Sequence, residues 1–143
     1  MKKKILATLA LLTTISLASP VKAENPAHVK QLLANRSCAN CDLSGADLRG
    51  AHLIGADLRN ANLEGAVLVN ANLEGADLTG ANLKGANLTG AFINSTSLNN
   101  ANLAEVNLSA AKLYSVDLTG ANLPGINLTR AEVFNTNISV GGE

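Results

Sequence analysis

The chain is poor in aromatic residues and has no excess of charge of either sign. Its 143 residues include no tryptophan, one tyrosine and two phenylalanines, and 11 basic residues balance 11 acidic ones. Proteins that bind nucleic acids carry a basic patch on their surface. The composition therefore predicts no nucleic-acid partner.

Residues that bind metals or perform catalysis are also scarce. The sequence has two cysteines and two histidines, His28 and His52. It contains no Ser-His-Asp pattern, no phosphate-binding loop and no paired carboxylates in an apolar setting. We therefore expect a protein that is not an enzyme and that holds no cofactor and no metal.

Only the N-terminus contains a long apolar run. Residues 2–4 are lysines, residues 5–18 are largely apolar, and the small residues Val21 and Ala23 follow. This order is typical of a cleavable signal peptide, and the run is too short to span a bilayer comfortably. We predict a signal peptide over residues 1–23, export, and no membrane insertion after cleavage. Cleavage leaves 7 basic and 11 acidic residues, a net charge of −4.

The chain is rich in one five-residue repeat. Residues 71–90 read Ala-Asn-Leu-Glu-Gly, Ala-Asp-Leu-Thr-Gly, Ala-Asn-Leu-Lys-Gly and Ala-Asn-Leu-Thr-Gly, and the pattern fills residues 41–140 as twenty repeats. A leucine at every fifth position advances by about 140° around an α-helix, so the leucines form no apolar stripe. On a continuous strand an odd period sends successive leucines to opposite faces. The period therefore argues against both regular structures.

A square coil accommodates the repeat. The alanine and the leucine lie two residues apart and face the same way in a short extended segment. The two residues after the leucine turn the chain by about a right angle, and Gly or Asn tolerates the backbone angles needed there. Four repeats then close a coil of 20 residues, and coils stack at about 4.8 Å.

The repeats closely resemble those of the pentapeptide repeat family, and their central position is Leu, Ile or Val in all twenty. The resemblance implies an all-β solenoid, a right-handed quadrilateral parallel β-helix of about five coils. It also implies the periplasm or thylakoid lumen of a cyanobacterium, where such proteins mostly lack a defined biochemical role. Gyrase-protecting members of the family mimic DNA. The same role for this chain is an alternative, but DNA mimicry requires a strongly acidic protein without an export signal.

Residues 24–40 precede the regular repeats. Asn25 suits the N-cap of a helix and Pro26 its first position. An apolar face follows at Val29, Leu32 and Leu33. We predict a short helix over residues 26–34 that covers the open N-terminal end of the coils.

Cys38 and Cys41 both fall on inward positions of the repeat and aim at the same interior corner. In an exported protein, such a pair is expected to form a structural disulfide. Two alternatives stay open. The pair is redox-switched in a regulated lumenal factor, or it joins His28 and His52 in a metal site that needs four ligands. A thioredoxin-like motif would need a βαβ setting, which is missing.

Counting in twenties places all three aromatic residues on one outer face of the coils. Phe92, Tyr114 and Phe134 share that face with Ile54. Clustered exposed apolar groups are typical of contact surfaces, whereas the alternative is that these rings merely pack on turn residues. We predict that this face binds an unknown protein partner. The C-terminal end, with residues 141–143 as a tail, is either a small exposed edge or a self-association surface.

Two other sets of positions carry structural predictions. Asparagines 20 residues apart are expected to form an amide ladder along one face. From residue 96 onward several inward alanines give way to larger residues, and we expect these to swell the later coils or to change their turn type. The ladder residues are Asn62, Asn82, Asn102 and Asn122, and the enlarged inward residues are Thr96, Val106, Val116, Ile126 and Thr136.

Overall fold

The computed structural model describes residues 24–138. The predicted signal peptide over residues 1–23 and the predicted tail at residues 141–143 lie outside the described residues. Helix α1 spans Pro26–Asn35, within one residue of the prediction. The Asn25 side chain accepts a hydrogen bond from the N–H of Ala27 at 3.1 Å, as an N-cap does.

Parallel bridges join residues that lie 20 positions apart. They run from the pair Ser37 and Asp57 to the pair Asn107 and Asn127. The predicted 20-residue register is therefore confirmed. Most bridges are isolated, because each side of a coil is extended for only a few residues before it turns.

Three longer strands stack on one side of the coils. They are β1 (Phe92–Asn94), β2 (Lys112–Tyr114) and β3 (Glu132–Phe134). They form a parallel sheet in the order β1-β2-β3, with residues 20 apart as partners.

The core is a column of leucine and alanine layers. Leucines such as Leu63 and Leu83 and alanines such as Ala61 and Ala81 have no solvent exposure. Each fully buried leucine contributes roughly 1.5–3 kcal/mol relative to an exposed one. The repeat predicts that its central residue and the residue two positions before it point inward, and in the structure both do.

Most corners are β-turns closed by one backbone hydrogen bond. The carbonyl oxygen of the central leucine accepts from the N–H three residues later, as Leu78 does from Ala81 at 3.0 Å. The third residue of each turn has a positive φ, which favours Gly or Asn. At Gly80 the φ is +69°, and an added Cβ would lie 2.4 Å from the Oδ1 atom of Asn60 in the preceding coil.

The outward Asp or Asn of the repeat has a structural task. Its side-chain oxygen accepts a hydrogen bond from the backbone N–H two residues later, which has no ladder partner. Asp77 accepts from Thr79 at 3.0 Å, and Asn87 accepts from Thr89 at 3.1 Å. The hydroxyl groups of these threonines donate to the same oxygens. The side chain therefore provides the hydrogen-bond acceptor for this N–H of the turn, in addition to facing outward.

The enlarged inward residues change some turns and not others. The closing turn bond persists at Val106 (3.2 Å) and at Ile126 (3.3 Å). Among the described residues no such bond is present before Thr96, Val116 or Thr136. These three follow β1, β2 and β3, where the outward residue before the centre is Phe, Lys or Glu and supplies no Asp or Asn oxygen. Loss of the turn bond thus accompanies a bulky inward residue together with a missing Asp or Asn.

The ladder begins four residues before the predicted start of the repeats. Ser37 already pairs with Asp57, although Arg36 and Cys38 stand where the repeat has alanine and leucine. Helix α1 and Glu24 supply hydrogen-bond acceptors where a preceding coil would otherwise do so. The Nδ1 atom of His28 accepts the N–H of Asp42 at 3.0 Å, and a carboxylate oxygen of Glu24 accepts the N–H of Asp47 at 3.2 Å.

Candidate protein-contact face

One outer side of the coils carries the predicted contact residues, and we call it the aromatic face. It comprises the outward positions of the side that contains β1, β2 and β3. The structure places Ile54, Phe92, Tyr114 and Phe134 on this side as predicted, in consecutive or alternate coils. At about 4.8 Å per coil, Phe92 and Phe134 are separated by roughly 10 Å along the rod.

The apolar groups of the aromatic face are open to solvent. The exposed fractions are 45% for Ile54, 47% for Phe92 and 72% for Phe134. Tyr114 is half-buried. The two phenylalanine rings therefore do not pack away on turn residues, which was the alternative interpretation.

Charged residues lie among the rings. The Nζ atom of Lys112 lies 5.4 Å from the centre of the Phe92 ring, within range of a cation–π contact. The Tyr114 hydroxyl donates a hydrogen bond to the Glu132 carboxylate. That bond stabilises the neutral phenol and raises the pKa of Tyr114 above its ordinary value. The face is therefore amphipathic, with the cation Lys112 and the anions Glu74 and Glu132 among apolar groups.

The aromatic face continues onto the edge of β3 that has no neighbouring strand among residues 24–138. Val133 occupies an inward position, yet 42% of it is exposed, whereas the equivalent Leu113 in the coil before is 1% exposed. All three residues of β3 are exposed. Sequence reasoning did not single out Val133 or Glu132; the signal was their place in the last full coil, where no following layer is described.

The cysteines lie at the other end of the rod. Their Sγ atoms are 2.02 Å apart, which is disulfide distance, and both side chains are buried. The Cys38 sulfur lies 3.3 Å from the carbonyl oxygen of His28 in α1. The pair therefore sits where the helix meets the first coil.

Polar columns occupy two other sides. The predicted amide ladder is confirmed, because the Nδ2 atom of each asparagine donates to the Oδ1 atom of the one before. The three bonds, at 3.2, 3.1 and 3.0 Å, join Asn62, Asn82, Asn102 and Asn122.

On a second polar side, the Arg59 guanidinium lies 2.7 Å from the Asp57 carboxylate and 3.9 Å from that of Asp77. The hydrogen bond from Arg59 lowers the pKa of Asp57. The Thr119 hydroxyl and backbone N–H have the same effect on the pKa of Asp117.

Across residues 24–138, no group of three or more His, Cys, Asp or Glu side chains is placed to hold a metal ion. A shallow cleft of about 290 Å³ lies near the C-terminal end, lined by Asp117, Leu118, Thr119, Leu123 and others. Within the same range, no helix is long and apolar enough to span a membrane.

Comparison with solved structures gave several similar proteins. A pentapeptide repeat protein from the thylakoid lumen of Arabidopsis thaliana is 30% identical with a TM-score of 0.56, over 77% of this chain and 74% of the other. One from the cyanobacterium Cyanothece 51142 is 29% identical with a TM-score of 0.41, over 78% and 97%. QnrB1, a plasmid-mediated fluoroquinolone resistance protein, is 23% identical with a TM-score of 0.49, over 68% and 62%.

A search of curated proteins found no match. The family model for pentapeptide repeats matches in eight copies, over residues 33–68, 41–80, 56–94, 94–130 and 111–138. Proteins of this family fold as right-handed β-helices, in agreement with the stacked 20-residue coils. The chain belongs to the pentapeptide repeat family.

Proposed function

We propose that this chain is an exported, non-enzymatic rod that binds another protein through the aromatic face. The observation that carries the proposal is the grouping of exposed apolar side chains. Of the five large apolar residues that are exposed among residues 24–138, Ile54, Phe92 and Phe134 point outward on this one face, and Val133 adjoins it. Burying a phenylalanine against a partner contributes roughly 1.5–3 kcal/mol, so three such groups are enough to anchor a modest interface.

In this proposal the remainder of the chain is a rigid support. About five square coils form the rod, α1 covers its N-terminal end, and the Cys38–Cys41 disulfide closes a corner of the first coil beneath the helix. The contacts of His28 with Asp42 and of Leu32 with the core support the capping role. The predicted signal peptide and the similarity to a thylakoid lumen protein support export, to the thylakoid lumen or the periplasm.

Affinity capture from the native envelope and lumen tests the proposal. We expect a specific protein to be retained by the wild-type chain and lost from the triple variant Phe92→Ser, Tyr114→Ser, Phe134→Ser. A matched control replaces Glu64 and Lys84 by Ser, since these outward residues lie on the opposite side of the rod. The control should retain the same protein, and both variants should keep the wild-type circular dichroism spectrum.

The captured protein is then purified and its affinity for all three chains is measured. Equal affinity for the wild-type chain and the triple variant would contradict the proposal, because the aromatic face would then contribute nothing to binding. A loss of affinity in the control of the same size as in the triple variant would contradict it as well.

A second proposal concerns self-association through the C-terminal end. The exposure of Val133 favours it, because a second copy placed against this end would bury that side chain. Sedimentation equilibrium at increasing protein concentration tests it. This alternative excludes a partner strand on the same end and predicts a concentration-dependent dimer that Val133→Asp abolishes; a monomer at all concentrations would refute it.

A further inference from the structure

We propose that the open edge of β3 accepts an extended segment of the partner as an added parallel strand, and that this segment has the pattern basic, aliphatic, aromatic. The inference rests on the proposed function and names the chemistry that the partner presents. Three features of the described residues carry it: the direction of the ladder bonds, the charge of Glu132, and the incomplete burial of Val133.

The ladder bonds determine which groups the edge of β3 offers. Between successive coils, the N–H of a central residue donates to the following coil, as Leu73 does to Phe92 at 2.8 Å. The N–H two residues after the centre does the same, as Ser115 does to Phe134 at 3.0 Å. The equivalent groups of the last coil are the N–H of Val133 and the N–H of Asn135, and neither has a hydrogen-bond acceptor within residues 24–138.

The edge of β3 also offers one hydrogen-bond acceptor. In each coil the outward residue before the centre donates its N–H to the coil before, as Glu132 does to the carbonyl oxygen of Ala111 at 2.9 Å. By the same rule the carbonyl oxygen of Ala131 is the acceptor for a following strand. An added strand therefore finds two donors and one acceptor in the geometry that β1, β2 and β3 already use. Strand addition of this kind gives affinity through the main chain and specificity through alternate side chains.

The side chains of β3 determine the preferred pattern. Glu132 is an exposed carboxylate, and in the existing sheet the residue paired with it is Lys112. A basic residue on its other side gives the same alternation of charge. Val133 is 42% exposed in an inward position, so an aliphatic residue stacked on it completes the core. Phe134, 72% exposed, is paired in register with Tyr114 of β2, and an aromatic residue of the added strand opposite Phe134 repeats that pairing.

This pattern separates the partner segment from a second copy of the chain. A second β3 that presents the same edge and the same outward face would pair antiparallel, which sets Glu132 against Phe134 and supplies no opposite charge. The sequence of β2, Lys-Leu-Tyr, has the required pattern and already packs on β3 from the other side. A peptide with that sequence is therefore the natural probe.

The experiment uses the full chain and a peptide, capped at both ends, with the sequence of residues 110–117, Ala-Ala-Lys-Leu-Tyr-Ser-Val-Asp. Amide hydrogen exchange is followed by NMR for each residue. We expect saturating peptide to slow the exchange of the Val133 and Asn135 amides at least tenfold. The Glu132 amide is the internal control, because it already donates to Ala111 and its exchange should change far less.

Two charge-reversing substitutions, one in the peptide and one in the chain, test the register. A peptide with glutamate in place of its lysine should bind the wild-type chain two- to fivefold more weakly, the range for an opposite-charge pair in a sheet. The variant Glu132→Lys should reverse that preference. The variant Val133→Pro removes the central donor without removing a bond to β2, and we expect it to abolish the protection of Asn135. Its matched control, Val133→Ala, keeps the donor and should retain part of the protection.

Several outcomes would overturn the inference. If the Val133 and Asn135 amides are protected before peptide is added and the protection rises with protein concentration, a second copy occupies the edge. If they are protected at every concentration, residues after 138 cover it. If the captured partner needs the aromatic face but neither it nor the peptide protects these amides, the partner binds by side chains alone; the proposed function then stands and the added strand is refuted. If the peptide protects them but the triple serine variant keeps its partner, the edge is real and the proposed function fails.

Discussion

The outward Asp or Asn of the repeat is expected to stabilise the rod through the turn that follows it, and replacing Asn87 by valine tests this. The Oδ1 atom of Asn87 accepts the N–H of Thr89 at 3.1 Å and its hydroxyl at 2.6 Å. Valine is a fair comparison at this position, because Val67 occupies the same place in the coil before. The substitution therefore removes an acceptor without introducing a shape that the side of the rod cannot hold.

The expected loss follows from the two bonds. A typical intramolecular hydrogen bond contributes about 0.5–1.5 kcal/mol, and the Thr89 hydroxyl can turn to water once its partner is gone. Valine also favours extended backbone, which offsets a few tenths of a kcal/mol. We expect Asn87→Val to lower the free energy of unfolding by about 1–2 kcal/mol.

The converse substitution, Val67→Asn, is expected to stabilise the chain. Within residues 24–138 the N–H of Val69 has no hydrogen-bond partner, because Val67 supplies no acceptor. An asparagine there should gain about 0.5–1 kcal/mol, less than the loss at Asn87 because water already reaches a half-buried site. The two substitutions thus make opposite predictions on the same side of the rod.

Urea unfolding followed by circular dichroism measures both changes. With a slope of roughly 2 kcal/mol per molar urea, the Asn87→Val midpoint should fall by about 0.5–1 M and the Val67→Asn midpoint should rise by roughly half as much. If Asn87→Val leaves the midpoint unchanged while Val67→Asn lowers it, the side-chain oxygen does not stabilise the turn and the reasoning is refuted.

Three further predictions concern the core, the surface charges and the N-terminal helix. Leu83→Ala, at a fully buried site, should lower the free energy of unfolding by about 2.7–5 kcal/mol. Leu123→Ala, at a half-buried site in the same column, should lower it by clearly less. Equal losses in urea unfolding would contradict the packing argument. Arg59 lowers the pKa of Asp57 in the folded chain, so this pair stabilises the fold above about pH 4 and loses its effect as the pH falls. In thermal unfolding, Arg59→Met should therefore be less stable than wild type at pH 6 and indistinguishable from it near pH 2. His28→Phe removes the acceptor for a first-coil N–H and should speed amide exchange in α1 severalfold while exchange in the middle of the rod stays unchanged, since each coil contacts only its neighbours.

The parts of the fold that the sequence predicted follow from periodicity. The spacing of alanine and leucine determines which side chains face inward, and four repeats to a coil place residues 20 apart in register. For that reason the burial of Leu63 and Leu83, the amide ladder and the positions of Phe92 and Phe134 could all be predicted. Helix α1 was predicted to within one residue because Asn25 and Pro26 are strong local signals.

The parts that the sequence did not predict depend on hydrogen-bond partners. The repeat predicts that Asp77 points outward, but the structure is needed to see that its oxygen accepts the N–H of Thr79. The count in fives placed Cys38 on an inward position, but the bridge between Ser37 and Asp57 could not be predicted, because Arg36 and Cys38 stand where the repeat has alanine and leucine. Exposure of Val133 likewise depends on what lies beyond its coil, which the five-residue pattern does not encode.

The direction of the ladder bonds gives the rod an electrical polarity. On each side of a coil two N–H groups point toward the C-terminal end and one points back, as Leu48, Gly50 and Val67 illustrate. The peptide dipoles therefore do not cancel, and the C-terminal end carries a surplus of donors, as the N-terminal end of an α-helix does. Main-chain carbonyl oxygens are favoured at that end of the rod, and the field of the donors partly opposes the attraction of Glu132 for a basic side chain, an opposition that salt screens.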